Sequence, residues 1–265
     1  MNKNHLSVIL ALALPAVCAH AQSTAPTPTP AASDLSVVLT PSFVSQYMFR
    51  GLHFGGPSFQ PYVELRSDSF LFGVWSNFPL KDKVPGQSDP EFDFYGSCTI
   101  ETIKDTLSFT PGCTIYTYPN ANKKDGFYKA EYEPNLTASY TVAGLKLTPG
   151  LYYNFTLKGP TLELGAAYAV PLADLGTELD FSGTIGTYKW RAFDADTSPD
   201  VKIWGNYWLL GVAAPFQITK ESKLTIGWAY TKSSNSFRKQ GSAPKEPTEE
   251  AVGRGVVTVS YSLSF

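Results

Sequence analysis

The sequence predicts an all-β protein, a closed antiparallel up-and-down transmembrane β-barrel of twelve strands. Three observations predict it. From Leu35 onward, segments of about ten residues alternate apolar with polar side chains, which is the period of a strand with two different faces. Charged residues fall on one register of that alternation, and aromatic and aliphatic residues on the other. The connections alternate short with long, as in barrels with tight turns at one rim and loops at the other.

Composition narrows the field before any motif is read. Hydrophobic residues make up 43% of the 265 positions, aromatics 14% and charged residues 17%. That apolar share is too high for a disordered chain. A net charge of −2 argues against a nucleic-acid partner. Beyond the first twenty residues no run stays apolar for the ~18 positions that a transmembrane helix needs. A secreted β-sandwich and a membrane barrel remain.

The N-terminus sets the compartment. Lys3, the apolar run over residues 6–13 and Ala19-His20-Ala21 form the three parts of a secretory signal peptide over residues 1–21. Cys18 suggests lipidation, but Val17 stands before it where a small residue is needed. Residues 22–34, rich in Pro, Thr and Ala, cannot bury a core and read as a flexible leader. The barrel occupies 35–265.

In order, the strands are expected at 35–50, 58–67, 69–78, 91–103, 106–118, 130–142, 145–157, 161–171, 176–189, 201–214, 222–231 and 255–265. Short turns fall at Ser67-Asp68, Lys104-Asp105, Ala143-Gly144, Ala173-Asp174 and Lys220-Glu221. Longer connections run over 51–57, 80–90, 119–129, 190–200 and 232–254, and Lys158-Gly159-Pro160 is short where a long one is due. The last strand is the clearest, with Val257, Val259, Tyr261, Leu263 and Phe265 alternating with Thr258, Ser260, Ser262 and Ser264.

The period of two assigns the faces. Phe43, Tyr47, Phe49, Phe59, Val63, Leu65, Phe94, Leu136, Leu151, Phe181, Ile185 and Trp228 belong to the outward, lipid-facing set. The opposite register holds the pore-lining candidates Arg50, Glu64, Arg66, Asp93, Glu101, Glu131, Glu133, Lys146, Glu163, Glu178, Asp180, Lys202 and Lys223. So many charges cannot fill a dry core without partners, but they can line a wet lumen. Tyr62, Trp75, Tyr95, Tyr116 and Tyr152 also face in, as a slide for sugars or nucleosides or as simple filling.

Two features fit less well. Pro41, Pro61, Pro111, Pro134, Pro149 and Pro215 lie within strands or at their ends, although a closed barrel has no edge to excuse a missing N–H. Pro41, Pro111 and Pro149 share a Thr-Pro context and read as bulges or kinks near the rim. In the tenth strand, Ile203, Tyr207 and Leu209 oppose Trp204 and Trp208, which leaves its facing open.

Cys98 and Cys113 remain in the mature chain. A turn centred at Asp105-Thr106 sets them opposite each other on the outward face. That spacing suits a disulfide in an oxidising compartment, and it equally suits two small apolar residues in a lipid-facing hairpin.

Other motifs point in several directions. Arg50 is placed to attract anionic solutes or to pair with a lumen carboxylate such as Glu64, as a structural ion pair that pins the first hairpin. Glu163, Glu178 and Asp180 suggest a cation-selective constriction, unless Lys146, Lys158 or Lys202 neutralise them. Residues 194–200 resemble half a calcium loop, but Pro199 replaces the required Gly and no twelfth-position Glu closes it. His53 with Ser58 is a weak candidate for a lipid-facing hydrolase, with no acid at suitable spacing. No catalytic residue, metal site or cofactor is assigned.

Several segments resemble the TorF-type porin family of bacterial outer membranes. These are Ser45-Gln46-Tyr47-Met48-Phe49-Arg50-Gly51, Phe72-Gly73-Val74-Trp75-Ser76-Asn77 and Tyr116-Thr117-Tyr118-Pro119. Tyr261-Ser262-Leu263-Ser264-Phe265 resembles the general barrel-assembly signal. The resemblance implies an outer-membrane barrel with channel function and carries over no substrate. The expected function is a porin-like channel for passive diffusion of small hydrophilic solutes in the bacterial outer membrane. The alternative is a non-conducting structural or adhesive barrel whose outer loops bind partners, above all 232–254. Expected partners are outer-membrane lipid and lipopolysaccharide, the barrel-assembly machinery through Phe265, and small solutes, with no nucleic acid.

Overall fold

A computed structural model describes residues 35–82, 89–121, 128–191, 202–234 and 251–265. The expected signal peptide and leader, the calcium-like segment 194–200 and most of the loop 232–254 lie outside the described residues.

Among the described residues, seventeen strands run in chain order. They are β1 (Ser36–Thr40), β2 (Ser42–Val44), β3 (Tyr47–Phe49), β4 (Leu52–Gly55), β5 (Ser58–Phe59), β6 (Tyr62–Arg66), β7 (Phe70–Pro79), β8 (Glu91–Cys98), β9 (Ile100–Ile103), β10 (Leu107–Thr117), β11 (Ala130–Val142), β12 (Leu145–Asn154), β13 (Gly159–Leu172), β14 (Thr177–Arg191), β15 (Lys202–Gln217), β16 (Ser222–Ser233) and β17 (Arg254–Ser264). Fifteen of them form one antiparallel sheet. Three pairs (β1 with β2, β5 with β6, β8 with β9) each make a single interrupted stave, so the sheet has twelve staves. β17 closes it by pairing with β1 (Leu39 opposite Leu263) and with β2 (Phe43 opposite Val259). The expected closed barrel of twelve strands is the observed fold.

Closure is what allows both faces to be specialised, because every stave has neighbours on both sides and no edge remains unpaired. The short connections gather at one rim. Ala143 and Gly144 there carry φ of 49° and 81°, a two-residue turn of the primed type that matches strand twist. Gly176 ends the 3-10 turn Ala173–Leu175 with φ 61°. The strand ends that the longer connections join lie at the opposite rim, called here the loop end.

The outward surface is apolar. Phe43, Phe59, Val63, Leu65, Phe94, Leu136, Leu151, Phe181, Ile185 and Trp228 all lie exposed on it, as the alternation requires. The tenth stave, β15, resolves the same way. Trp204, Trp208 and Leu210 point outward and Tyr207 is buried inside. Among the described residues no helix is long and apolar enough to cross a membrane.

The structure corrects the expected role of the prolines. Pro41 and Pro61 interrupt their staves, separating β1 from β2 and β5 from β6. Pro111 and Pro149 make no bulge. Pro111 pairs with Leu136 and Pro149 with Leu164 in unbroken register. The missing N–H shows as a gap on the other side of each proline. Pairing passes from Thr137–Gly150 to Tyr140–Leu147 beside Pro149, and from Phe109–Ile100 to Gly112–Ser97 beside Pro111.

For the cysteines, the second of the two readings is the one observed. Cys98 and Cys113 are free. A register shift at Leu107/Ser108 moves the hairpin stagger, so Cys113 faces Gly96, while Cys98 faces Phe70 on the other neighbour.

Inside the barrel, tyrosine rings lie flat over glycines in directly opposed pairs. Tyr95 faces Gly73, Tyr188 faces Gly205 and Tyr207 faces Gly186. A Cβ at Gly73 would stand 2.3 Å from Tyr95 Cζ, and the Tyr95 hydroxyl is held by Glu64 at 2.8 Å. Gly73→Val is therefore expected to cost about 1–3 kcal/mol, the usual cost of overpacking. Gly165→Ala, whose Cβ would meet nothing closer than 3.6 Å, serves as the near-neutral control, with urea midpoints of the refolded barrel as the readout. The free thiols predict an unchanged intact mass with and without reductant.

Candidate functional site

β3 and β4 are the strands left out of the barrel sheet. They pair only with each other. The chain leaves β2 at Ser45, whose N–H bonds the carbonyl of Val257 and whose hydroxyl accepts from the N–H of Val257. It then turns inward rather than continuing upward. Arg50 and Gly51 make the hairpin tip, with φ of 47° and 77°. Such a pair is the two-residue turn that keeps a tight hairpin's twist. A side chain at φ 47° is unfavourable for arginine, so the contacts of Arg50 must hold it there.

The hairpin crosses the loop half of the lumen. Met48 packs with Val44 and Val256 on the side where the chain enters. Tyr47, Phe49, Leu52 and Phe54 join a buried cluster with wall residues Trp75, Tyr116, Tyr188, Trp190 and Tyr207. The Tyr47 hydroxyl donates to Glu91 at 2.6 Å. On β16, two staves round from the entry at β2, the N–H of Ser233 donates to the carbonyl of Gly51 at 2.9 Å. A Cβ on Gly51 would stand 2.4 Å from the backbone carbon of Lys232. Glycine is thus needed at the tip twice, for its positive φ and for this close approach.

The Arg50 guanidinium is the centre of the site. Its two terminal nitrogens donate to the two oxygens of Glu133 at 2.8 and 2.9 Å, and its Nε donates to Glu163 at 3.3 Å. The side chains of Arg50 and Glu133 are each 1% exposed. The guanidinium carbon lies 5.0–5.1 Å from the ring centres of Phe49, Tyr152 and Trp190, within cation–π range. Wall phenols orient the same carboxylates. Tyr116 donates to Glu133 at 3.0 Å, and Tyr207 donates to Glu163. Asn154 donates to the neighbouring Glu131 at 2.8 Å. Asp93 is fully buried on the same wall, and neither of its oxygens has a well-formed hydrogen bond.

The turn half of the lumen is different. Glu64 accepts from Arg66 and from Tyr95. Lys146 and Asp180 are buried there, with Lys223 and Glu178 half-buried. The hydroxyls of Thr40 and Ser262 bond each other at 2.9 Å.

Most of the expected pore-lining set does point inward, with exceptions. Glu101 is exposed and caps the tight turn by accepting from the N–H of Asp105. The backbone of Lys202 lies in β15, and its side chain lies outside the described residues. Arg50 pairs with Glu133 and Glu163 rather than Glu64, which is taken by Arg66. Glu163 and Asp180 do not form one constriction. Glu163 faces Gly186, whereas Asp180 faces Ala169, six residues along the strand, which is roughly 20 Å. Tyr47 and Phe49 were expected to face lipid and are buried in the hairpin. Trp75, Tyr95, Tyr116 and Tyr152 fill the interior instead of leaving a slide. Trp190, Tyr207 and Gly51 were missed altogether. The available signal was Arg50-Gly51 itself, a turn pair between the two apolar triplets Tyr47-Met48-Phe49 and Leu52-His53-Phe54.

His53 and Ser58 do not form a catalytic pair. The Ser58 hydroxyl donates to the carbonyl of Gly56 at 3.1 Å, and His53 Nε2 is buried without a partner. Burial and the charge of Arg254 hold the His53 imidazolium below the ordinary histidine range. Among the described residues, no group of three His, Cys, Asp or Glu side chains is arranged to hold a metal.

Two solved structures share this architecture. The NanC porin superposes with a TM-score of 0.51 at 10% identity, over 86% of this chain and 98% of that one. The KdgM porin superposes with a TM-score of 0.50 at 12% identity, over 87% and 99%. At such identities the likeness is one of fold. A search of curated protein sequences gives no match. The sequence model of a family described as "Bacterial protein of unknown function (Gcw_chp)" matches residues 29–234. That match spans more than three quarters of the chain, which therefore belongs to the Gcw_chp family of bacterial proteins.

Proposed function

We propose that this protein is a bacterial outer-membrane channel for small hydrophilic solutes, with the β3–β4 hairpin as its stopper at the outer side. The observation that carries this reading is the hairpin's attachment. It fills the loop half of a closed barrel, yet it belongs to a sheet of its own. Its tip rests on an ion pair, ring contacts and the backbone bond from Ser233. An element held by side-chain contacts and a backbone bond at its tip can leave without breaking the barrel ladder.

Other features support the same reading. The exposed apolar belt is far larger than a water-soluble protein tolerates, and it suits lipid. The loop end then faces outward and the short turns face the periplasm. The charged turn half of the lumen is the wet vestibule beneath the stopper. The motifs that resemble TorF-type porins fall on the stopper itself, on β7 and on β10. Lipopolysaccharide contact through the outward face, and recognition of Phe265 by the assembly machinery, follow from that placement.

The dry packing of the hairpin favours a second reading, a permanently closed barrel with a structural role. Bilayer conductance separates the two. Removing one partner of a buried ion pair costs about 3–5 kcal/mol, so Arg50→Ala is expected to raise the unseated fraction roughly 100-fold or more. The wild type should show rare brief openings, and Arg50→Ala should show sustained current. Gly51→Val should have the same effect without removing a charge, because the tip can no longer reach Lys232. No current from any of the three proteins would establish the closed-barrel reading.

A further inference from the structure

The seat that receives Arg50 is built by the wall, not by the hairpin. Six consecutive staves each contribute a side chain to one level of the lumen. They are Tyr116 from β10, Glu133 from β11, Tyr152 from β12, Glu163 from β13, Trp190 from β14 and Tyr207 from β15. Tyr116 and Tyr207 fix the two carboxylates through bonds that owe nothing to Arg50. Two of the three rings around the guanidinium, Tyr152 and Trp190, also belong to the wall, and the hairpin supplies only Phe49. Tyr188 stacks behind Trp190 at 5.0 Å and beside Tyr207 at 6.2 Å, backing both rings. When the hairpin leaves, carboxylates and rings therefore stay in place. Asp93, fully buried and without a well-formed hydrogen bond, lies on the same wall.

We infer that this wall is a binding site for a guanidinium group, that Arg50 is its tethered resident ligand, and that solutes carrying a guanidinium compete with the hairpin for it. The chemistry is specific. A planar fork matches both oxygens of Glu133, and flat aromatic faces stack on a delocalised cation better than on a compact ammonium. A site already organised for its ligand pays little to bind a free one. The transport consequence, that a guanidinium solute unseats the stopper and favours its own entry, rests on the channel reading, whereas the binding itself does not.

The test uses the full mature chain in detergent micelles and in bilayers. In Arg50→Ala the seat is vacant, and ethylguanidinium is the probe, with N-ethylurea as its uncharged isostere and ethylammonium as the compact cation. Saturation-transfer NMR should show ethylguanidinium binding at least about tenfold more tightly than either comparator, as a charge-assisted bidentate contact requires. The preference should vanish in Arg50→Ala/Glu133→Gln. Equal binding of ethylguanidinium and N-ethylurea, or binding that survives Glu133→Gln, overturns the inference. If Arg50→Ala does not refold, the wild type carries the test. Free arginine should speed hydrogen exchange over residues 47–55 where citrulline does not, and equal exchange with both overturns the inference. Selective binding without current in any variant would sink the channel reading and leave the site standing. Current without selective binding would do the reverse.

Discussion

A strand in lipid must find partners for its whole backbone within the sheet, and the closure of β17 onto β1 and β2 meets that demand. Everything else follows from how side chains are sorted between the two faces of this closed ladder. The outer face can be wholly apolar because no backbone group needs water. The inner face can hold Glu64, Glu133, Lys146 and Asp180 because the apolar belt keeps lipid away from them. Prolines are tolerated where the ladder can spare one bond, as at Pro149, or where a stave already breaks, as at Pro41 and Pro61.

The hairpin is the exception to the ladder, and its behaviour is set by that. β3 and β4 satisfy much of their backbone with each other. What seats them is a different kind of interaction, one buried guanidinium against Glu133 and Glu163 with aromatic faces around it. A buried ion pair is costly to break one partner at a time and contributes little when compared with a well-packed apolar replacement. It therefore acts as a positional lock more than as a source of stability. The φ of 47° at Arg50 is consistent with that role, since an unfavourable backbone conformation persists only where contacts impose it.

The barrel was legible in the sequence because its signal is repeated twelve times. A period of two, read on Leu136, Tyr140, Leu151, Ile185 or Val257, says the same thing on every stave, and turn chemistry at Ala143-Gly144 marks the rim. The site was not legible for one physical reason: packed lumen and lipid select the same residue types. Tyr47 and Phe49 continue the alternation of Phe43 without a break, so nothing in their pattern separates a strand facing lipid from a hairpin folded inward. Arg50-Gly51 carried the missing information as a turn pair, but a charged residue before glycine also reads as the mouth of a strand. Both carboxylate partners of Arg50 were in the inward set. Which of them meet is decided by stave stagger, and a two-residue stagger is also what separated Cys98 from Cys113.

The excess of carboxylates at the loop half gives the seat its direction. Glu91, Glu131, Glu133 and Glu163 line one wall, and like charges held together in surroundings of low dielectric repel strongly. With Arg50 in place, the guanidinium offsets part of that repulsion, and packed rings keep water out. With Arg50 withdrawn, the same wall must be hydrated or must take up a cation from solution. On the channel reading proposed above, the closed state is the one in which the protein supplies its own cation. The balance between closed and open then depends on how well water, salt or a solute replaces that cation. Ordinary monovalent salt screens the wall but cannot match the fork of Glu133 or stack between Tyr152 and Trp190. Screening therefore weakens the hold on Arg50 without filling its place, whereas a planar cation of the right shape does both.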